Sequence, residues 1–518
     1  MHFEHALRSL AVAAVVIVAG GWLLATVIRR RHLRWTWALT VLPAGLLVKA
    51  GSAEAGVAVS GAVLLAAGLG ARWHRVDLSH GADFAENANT RRGIRDTLKA
   101  RHHQRAVKRR GWIQNGRLIV GRDIQRKPVS IPVGYRSGSH TLVLGATGSG
   151  KTVSEAWVAS RLIGAGHGAV VIDPKGDPLL RNTLAAAAGR RGARFHEWTP
   201  EGPCSYNPYA HGTDTEIADK ALAGELFTEP HYLRQAQRYL GHAVRTMHAA
   251  GILVTPASLM ANLDPRQLEV TARSLPEDQA TAVEGYLDGL SDRQRRDLAG
   301  VRDRLSILAE SDVHPWLDPT TTLNILDVHQ AVRDQDVVCF RLDSDRRPLL
   351  AAILASAIVS DLISLVARLQ AEPVPTVVLV DEFSAVAAEH VARLFARGRS
   401  AGVSLILGTQ ELADLKTVGD GALREQTLGN VAAVIAHRQN VPESAELIAA
   451  MAGTKPAWVT TQQTDEGLLG TGISGRGSRR RGYEYRIHPS RIKQLRTGEA
   501  IIITPGSGQP TTARMHHP

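Results

Sequence analysis

The stretch "GATGSGKT", residues 145 to 152, constrains the fold of this chain more than any other. It follows the apolar run "TLVL" and precedes "VSEAWVAS", so a buried strand leads into a glycine-rich loop and then into a helix. The loop fits the pattern G-x-x-x-x-G-K-[ST], whose backbone N–H groups cradle phosphates. The sequence therefore predicts an α/β fold with a nucleotide site on this loop.

The residues of this loop have separate expected tasks. The glycines let the backbone wrap a phosphate without Cβ clashes. Lys151 reaches the β- and γ-phosphate oxygens, and the hydroxyl of Thr152 takes a Mg²⁺ position. We expect ATP and Mg²⁺ as ligands, with the nucleotide bound by Gly145, Ala146, Thr147, Gly148, Ser149, Gly150, Lys151 and Thr152.

A later apolar run, "TVVLVDEFSAV" at 376 to 386, ends in a pair of carboxylates. At the tip of a strand beside a phosphate loop, Asp381 can hold Mg²⁺ through water and Glu382 can polarise the attacking water as a general base. A third run, "AVVIDPKGD" at 169 to 177, also reads as a buried parallel strand. Its charged tip either serves the site or is an ordinary turn.

Two further positions have a functional and a plain interpretation. Gln410 ends the predicted strand "VSLILGTQ", where it either senses the γ-phosphate or is a strand-end amide. Arg397 and Arg399, in "FARGRSAG", are either surface arginines or residues that act in trans on a neighbouring subunit's phosphates.

The N-terminal region predicts a membrane anchor over residues 1–75. Residues 10 to 28 are uncharged and long enough to cross a bilayer core, and "RRRHLR" at 29 to 34 follows as a cytoplasmic marker. Runs at 35–48 and 55–71 are further candidate spans. Three spans with the N-terminus outside satisfy the positive-inside rule, and two spans are the alternative.

The positive charge of the chain is concentrated beside this anchor. The chain has 61 basic and 49 acidic residues, and residues 1–128 contain 21 of the basic and 7 of the acidic ones. Within the predicted linker, 76–116, the segment 91–110 carries nine basic side chains and one acid. It is interpreted as a solvated helix attracted to anionic lipid, or as a contact for nucleic-acid phosphates.

The remaining chain is predicted to form two domains. Residues 117–212 and 319–518 contain the nucleotide motifs, and residues 213–318 have helical periodicity and form an inserted all-α domain with Asp214 as a helix cap. The segment 464–481, rich in glycine and arginine, is expected to be a mobile loop. The two cysteines, Cys204 and Cys339, have no disulfide or zinc spacing and indicate a reducing compartment.

The ordered set of motifs resembles the type IV secretion system coupling proteins, the TraG/TraD-type conjugative DNA-transfer ATPases. The set comprises "GATGSGKT", "VVIDPKGD", "YNPYA" at 206–210, "VDEF", "GRSAGVSLILGTQ" and "HPSRIKQLRTGEAIIITPG". The resemblance covers residues 117 to 510.

This resemblance implies a RecA-like P-loop ATPase domain that forms a homo-hexameric ring on the bacterial inner membrane, with the ATPase domain in the cytoplasm. It implies that the ring delivers single-stranded DNA bound to a relaxase, or a protein, to the type IV secretion channel. The relaxosome and the channel components are then the expected partners. Carried over by residue, Lys151 and Thr152 bind nucleotide and Mg²⁺, Asp381 is the metal carboxylate and Glu382 the base. Gln410 is the sensor and Arg399 the trans arginine.

The sequence departs from the family pattern in two respects. The loop between the predicted spans is very short where the family commonly has a periplasmic domain, and a long acidic C-terminal tail is missing. The alternatives are a septal-type double-stranded DNA translocase, which usually ends in a winged helix, and a membrane docking platform that binds ATP without hydrolysing it. A segment like LSGGQ, typical of ABC transporters, does not occur.

Overall fold

The computed structural model describes most of the chain, in two compact units, residues 1–93 and 94–518. The described residues are 12–30, 38–39, 53–79, 111–134, 137–224, 229–386, 388–416, 421–467, 470–506 and 508–518. Most of the run at 35–48, residues 31–34 of the basic marker and the basic segment 91–110 lie outside them.

The first unit contains two helices that pack closely. Helix α1 is Gly21–Arg30, preceded by a π-helical turn at Val16–Gly20, and α2 is Ala53–Ser79. The backbones approach so closely that a Cβ on Gly21 would lie 2.8 Å from the carbonyl oxygen of Ala62. Of the described helices, only Pro348–Leu369 is long and apolar enough to cross a membrane, and 78% of its apolar window is buried. The apolar stretches Val12–Ile28 and Val57–Trp73 are shorter.

The second unit alternates strands and helices. Its strands are β1 Ile113–Gln114, β2 Arg117–Asp123, β3 Pro128–Pro132, β4 Thr141–Leu144, β5 Gly168–Asp173, β6 Phe195–Trp198, β7 Val337–Arg341, β8 Thr376–Val380, β9 Val403–Thr409, β10 Ala433–Ala436, β11 Thr454–Gly467, β12 Gly470–Tyr485, β13 Glu499–Ile503 and β14 Thr511–Met515. Its helices are α3 Lys151–Gly164, α4 Pro178–Arg191, α5 Asp214–Ala221, α6 Pro230–Ala249, α7 Pro256–Asn262, α8 Pro265–Ala272, α9 Glu277–Asp288, α10 Asp292–Ala309, α11 Val328–Arg333, α12 Pro348–Leu369, α13 Phe383–Val386, α14 Ala388–Gly398, α15 Ala422–Asn430, α16 Pro442–Ala452 and α17 Pro489–Lys493.

A mixed β-sheet forms the centre of this unit, which confirms the predicted α/β class. Its order is β1-β2-β14-β13-β10-β4-β9-β8-β5-β7-β6, with β3 paired to β2. The strands from β10 to β6 run parallel, and β13 turns antiparallel against β10. The carboxyl ends of the parallel strands therefore meet at one edge of the sheet, where ligands bind in open α/β folds.

Both faces of the sheet are covered by apolar side chains. Leu142 and Leu144 of β4 point to one face, where the core includes residues of α12, and Val143 points to the other, where it packs with residues of α3 and α4. This explains the continuous apolar runs in the sequence, because strands buried on both faces do not alternate with polar residues.

Helices α5 to α10 form a separate hydrophobic cluster around Tyr239, Leu240 and Leu259. The predicted cap at Asp214 is wrong. Thr213 is the cap residue of α5, and its side chain accepts from the N–H of Glu216 in a capping box. Asp214 is the first helical residue and pairs instead with Arg245 and His248.

The "YNPYA" segment connects the sheet core to these helices. The hydroxyl of Tyr206 donates to Asp361 Oδ2 at 3.1 Å, and Asn207 Nδ2 donates to the carbonyl of Val254 at 2.8 Å. Asp361 also accepts from Lys220 Nζ at 2.5 Å and lies 3.0 Å from His329 Nε2. This buried network gives the segment a structural role.

The predicted loop at 464–481 is wrong. Strands β11 and β12 form an antiparallel hairpin, with a register shift between Gln462 and Thr464. The two strands form a separate two-stranded sheet. They were not predicted because their residues are mostly polar or glycine and do not alternate between apolar and polar.

Candidate active site

Five adjacent parallel strands bring the predicted site residues other than Arg399, together with Lys175 and His437, to one edge of the sheet. The phosphate loop follows β4, Gln410 follows β9 and the Asp381-Glu382 pair follows β8. Lys175 lies beyond the end of β5, and His437 follows β10. Residues that are up to 292 positions apart in the chain therefore line one site, because their strands are neighbours in the order β10-β4-β9-β8-β5.

The phosphate loop has a backbone that requires glycine. Gly148 and Gly150 have φ of 74° and 106°, values that strain a residue with a side chain. A Cβ at Gly145 would collide with Ser149 Oγ, which is buried without a hydrogen-bond partner among the described residues. The N–H of Ala146 donates to the carbonyl of Arg438 at 3.0 Å, so the segment that follows β10 holds the loop in place.

Lys151 lies at the centre of a group of carboxylates. Its ammonium contacts Asp381 Oδ1, lies 3.3 Å from Glu382 Oε1 and 3.8 Å from Glu155 Oε1. Burial alone would lower the pKa of Lys151, but the three carboxylates raise it above its usual range. Lys151 is therefore held as a cation at the position where the pattern requires one.

Glu382 is restrained by three donors and by its own backbone. Lys175 Nζ lies 3.1 Å and Gln410 Nε2 lies 3.2 Å from the Oε1 atom that Lys151 also approaches. Burial would raise the pKa of Glu382, but Lys151 and Lys175 lower it below its usual range, so the carboxylate stays ionised. Its φ of 46° is uncommon for a residue with a side chain, a strain that is typical of functional sites.

Asp173 organises the turn that delivers Lys175. Its carboxylate accepts the N–H groups of Lys175, Gly176 and Asp177 at 3.0, 2.8 and 2.6 Å. Asp177 in turn caps α4 by accepting from the N–H of Leu179. The charged tip of the run 169–177 therefore combines the two interpretations given above. Its aspartates stabilise an ordinary turn and helix start, and its lysine reaches the site.

Arg399 is not part of this site within one chain. It lies between α14 and β9 at the amino edge of the sheet, opposite the phosphate loop, because β9 and β4 are parallel. Its exposed guanidinium donates to the carbonyl of Asn430 at 2.5 Å. Arg397, in the last turn of α14, is exposed as well.

The residues present fit a nucleotide triphosphate with Mg²⁺. The positive φ of Gly148 and Gly150 shapes a loop able to surround a phosphate, Ser149 offers an unpartnered hydroxyl, and Lys151 supplies the cation. Thr152 is the second residue of α3, and Asp381, which follows β8, contacts its neighbour Lys151. A hydroxyl and a carboxylate are oxygen ligands of the kind that Mg²⁺ prefers.

Sequence reasoning missed His437. Its Nδ1 lies 3.0 Å from the carbonyl of Glu499, so this nitrogen donates, and Nε2 accepts from Ser154 Oγ at 2.9 Å. Burial lowers the pKa of His437 to about 4, which keeps the ring neutral. It joins β10 to the helix that follows the phosphate loop.

Two other buried polar groups at this edge were also missed. Gln439 Nε2 donates to the carbonyl of Gln410 at 3.1 Å and fixes the strand tip. The carboxyl group of Glu155 has no hydrogen-bond partner among the described residues, and burial together with Asp381 raises its pKa well above the usual range. No local pattern in the sequence distinguishes these residues from ordinary core or strand-end positions.

Two family models match segments of the chain. Residues 100–206 match the model described as "Type IV secretory system Conjugative DNA transfer", and residues 375–497 match "TraM recognition site of TraD and TraG". The first segment contains the phosphate loop, and the second contains Asp381, Glu382 and Gln410. The resemblance to the type IV coupling proteins is therefore confirmed. No curated protein sequence matches the chain.

Solved structures share the fold at low sequence identity. The bacterial conjugative coupling protein TrwBdeltaN70 is 16% identical with a TM-score of 0.51, over 79% of this chain and 91% of its own. Plasmid coupling protein TrwB in complex with ADP and Mg²⁺ is 17% identical with a TM-score of 0.51, over 73% and 86%. VirB4 of Thermoanaerobacter pseudethanolicus is 14% identical with a TM-score of 0.51, over 79% and 98%.

Proposed function

We propose that this chain, a member of the type IV secretion coupling proteins, hydrolyses ATP to drive a DNA strand with its relaxase, or a protein, into a secretion channel. One observation carries the proposal: Lys151 and Gln410 converge on one carboxylate oxygen of Glu382, so that three separate segments meet at the carboxyl edge of the sheet. A strained, ionised carboxylate beside a phosphate loop is what a hydrolytic site needs and a passive platform does not.

The chain's own residues divide the work. The loop 145–152 binds the phosphates through its backbone, and Lys151 turns from its carboxylates to the β- and γ-phosphate oxygens. Thr152 and Asp381 hold Mg²⁺, which neutralises charge on the phosphate oxygens when it is bound. TrwB, which shares the fold, has been solved with ADP and Mg²⁺.

Glu382 accepts a proton from the attacking water. Its lowered pKa keeps it ionised at neutral pH, and Gln410 orients it by a hydrogen bond at 3.2 Å. Gln410 also stands at the tip of the strand beside the phosphate loop, where its amide is suited to sense the γ-phosphate.

Assembly and location follow from the family and from the charge pattern. We propose a homo-hexamer of RecA-like domains (117–212 with 319–518) at the bacterial inner membrane, with the ATPase domain in the cytoplasm. Residues 1–75 form the multi-pass anchor and 76–116 the basic linker. The exposed position of Arg399 suits a contact with the phosphates of the next subunit.

The cargo is proposed to be single-stranded DNA held by a relaxosome. The segment 375–497 matches a model described as a TraM recognition site, so we assign the relaxosome contact to it. The helices of the insertion, 213–318, are proposed to meet the incoming cargo. Binding of single strands is expected to be independent of sequence and to weaken steeply with salt, because phosphate neutralisation releases counterions.

The test compares ATP binding, ATP turnover and plasmid transfer in variants of the full chain. Glu382→Gln should keep ATP binding and lower turnover by roughly 10²–10⁴, the usual contribution of a general base, whereas Lys151→Ala should also weaken binding. Stimulation by single-stranded DNA, and loss of plasmid transfer with chromosome segregation intact, support the coupling role. Full turnover in Glu382→Gln rejects the assigned base, and a segregation defect with normal transfer indicates a septal pump.

A further inference from the structure

A cavity of about 450 Å³ lies at the edge of the sheet opposite the nucleotide site. Its wall comes from the ends of α3 and α4 and from the chain just before β1. The side chains that shape it are Trp112, Ile113, Arg161, Ala187, Arg190 and Arg191. The cavity thus combines arginines with an apolar and aromatic surface.

The arginines of this cavity lack acidic partners. Arg161 stacks 4.0 Å above the ring of Trp157 and 5.5 Å from that of Trp112, and its buried Nε has no hydrogen-bond partner among the described residues. Arg191 is occupied by the backbone carbonyls of His167 and Gln335. Nowhere in the described part of the chain does a carboxylate pair with these arginines.

The positive charge exceeds what the fold itself neutralises. The carboxyl end of a helix carries roughly −0.5 of a charge, so the ends of α3 and α4 together offset about one of the three arginines. Burial and the neighbouring charge of Arg190 lower the pKa of Arg161, which reflects an environment without a counter-charge. An anion bound in the cavity would relieve this repulsion.

The wall of this cavity directly follows the basic segment in the chain. Gly111 and Trp112, on the wall of the cavity, directly follow the segment 91–110 with its nine basic residues and one acid. That segment in turn follows the proposed anchor. Tryptophan is enriched at the level of lipid headgroups, where its ring is partly apolar and partly polar.

We infer that this cavity binds the phosphate of an anionic phospholipid headgroup. The inference rests on the membrane anchoring in the proposed function and adds a specific lipid site on the cytoplasmic domain. Arg190 is the exposed contact at its mouth, and Arg161 is the inner contact. The site is separate from the phosphate loop, because α3 runs from one edge of the sheet to the other.

The test measures lipid bound to the purified full chain in neutral detergent. Dioleoyl phosphatidylglycerol or phosphatidylcholine is added, and the bound lipids are counted by native mass spectrometry. Arg190→Glu should weaken phosphatidylglycerol binding about tenfold or more and leave phosphatidylcholine binding unchanged, because it reverses one charge. Arg161→Met, which keeps an apolar stem over Trp157, should act in the same direction.

The matched control is Arg333→Glu. Arg333 is exposed, lies in the last turn of α11 and is near the same edge of the sheet. If Arg333→Glu weakens phosphatidylglycerol binding as much as Arg190→Glu does, the effect comes from general surface charge and the inference is overturned. Displacement of lipid by millimolar inorganic phosphate also overturns it in favour of a free-phosphate site. Weaker binding of a single-stranded oligonucleotide with unchanged lipid binding identifies a DNA contact instead.

ATP turnover measured in the same samples separates this inference from the proposed function. Arg190→Glu is expected to retain turnover in detergent, since Arg190 is remote from the nucleotide site. Unchanged lipid binding in Arg190→Glu rejects the lipid site whatever the turnover is. Full turnover in Glu382→Gln rejects the proposed chemistry and leaves the lipid result intact.

Discussion

Lys175 Nζ lies 3.1 Å from Glu382 Oε1, which joins the tip of β5 to the tip of its neighbour β8. The lysine is about half exposed, whereas the carboxylate is almost fully buried. A cation that is half in solvent therefore contacts the proposed general base. Asp173 keeps the lysine within reach by binding the three N–H groups of the turn.

The first prediction concerns this contact. Lys175→Gln removes one of the two cations that lower the pKa of Glu382. The acid limb of the pH profile of kcat should then move to higher pH, by about one unit or less because Lys175 is partly solvated. The measurement is ATP turnover between about pH 5 and 8. A loss of kcat that is equal at every pH would show that Lys175 only supports the turn.

Lys416→Gln is the matched control for that profile. Lys416 also pairs with a glutamate, Glu443, at 3.1 Å, but both of these side chains are exposed and neither contacts Glu382. The acid limb should stay where it is in the wild-type protein. A similar shift in both variants would trace the change to the net charge of the protein.

The sequence was sufficient to predict the sheet and the phosphate loop for physical reasons. Strands buried on both faces are continuous apolar runs, as in β4, β5, β8 and β9, and a loop that surrounds phosphate needs glycine where φ is positive. The carboxylates after β8 were predictable because they follow such a run directly. Each of these signals is local in the chain.

The contacts that the sequence did not predict depend on which strands are neighbours. Lys175 and Glu382 are 207 residues apart, and Ser154 and His437 are 283 apart. Nothing near Lys175 or His437 shows that β5 lies beside β8, or β10 beside β4. The hairpin of β11 and β12 was missed for a different reason, because its polar and glycine-rich sequence has no alternation of apolar and polar residues.

A second prediction concerns acid stability through His437. In the folded protein the pKa of His437 is about 4, below the ordinary value of 6.5. The unfolded chain therefore binds more protons at this residue than the folded protein does. For this reason the contribution of His437 to the free energy of unfolding is lost as the pH falls from about 6.5 towards 4. By about pH 5 the loss amounts to about 2 kcal/mol. His437→Asn is expected to have a smaller free energy of unfolding than the wild-type protein at neutral pH. Between about pH 6.5 and 5, however, that free energy should fall by about 2 kcal/mol less in the variant than in the wild-type protein. Denaturant unfolding at several pH values measures it, and parallel profiles would contradict the assignment.

A third prediction concerns the network that attaches the inserted helices. Asp361 is buried with Lys220, His329 and the hydroxyl of Tyr206, and Lys220 and His329 hold its pKa below the usual range against the effect of burial. Asp361→Asn leaves the Lys220 cation buried without a counter-charge, which should cost about 3–5 kcal/mol. Denaturant unfolding of the full chain measures the loss.

Asp334→Asn is the comparison for this change. Asp334 pairs with Arg194 at 2.5 Å, but both side chains are substantially exposed, so the expected cost is at most about 1 kcal/mol. Equal losses in the two variants would mean that the "YNPYA" junction adds no more stability than a surface pair.

The last prediction concerns Arg399 and requires a neighbouring subunit. Within one chain this arginine lies at the amino edge of the sheet, and the phosphate loop lies at the carboxyl edge, so Arg399 cannot serve its own nucleotide. If it acts in trans, Arg399→Ala should bind ATP normally and lose roughly 10³ or more in turnover. Mixing this variant with inactive Lys151→Ala should restore part of the activity, because some interfaces then pair an intact loop with an intact arginine. Turnover measured across mixing ratios should pass through a maximum, and a flat, inactive series would assign Arg399 a role within its own subunit, such as its contact with the Asn430 carbonyl.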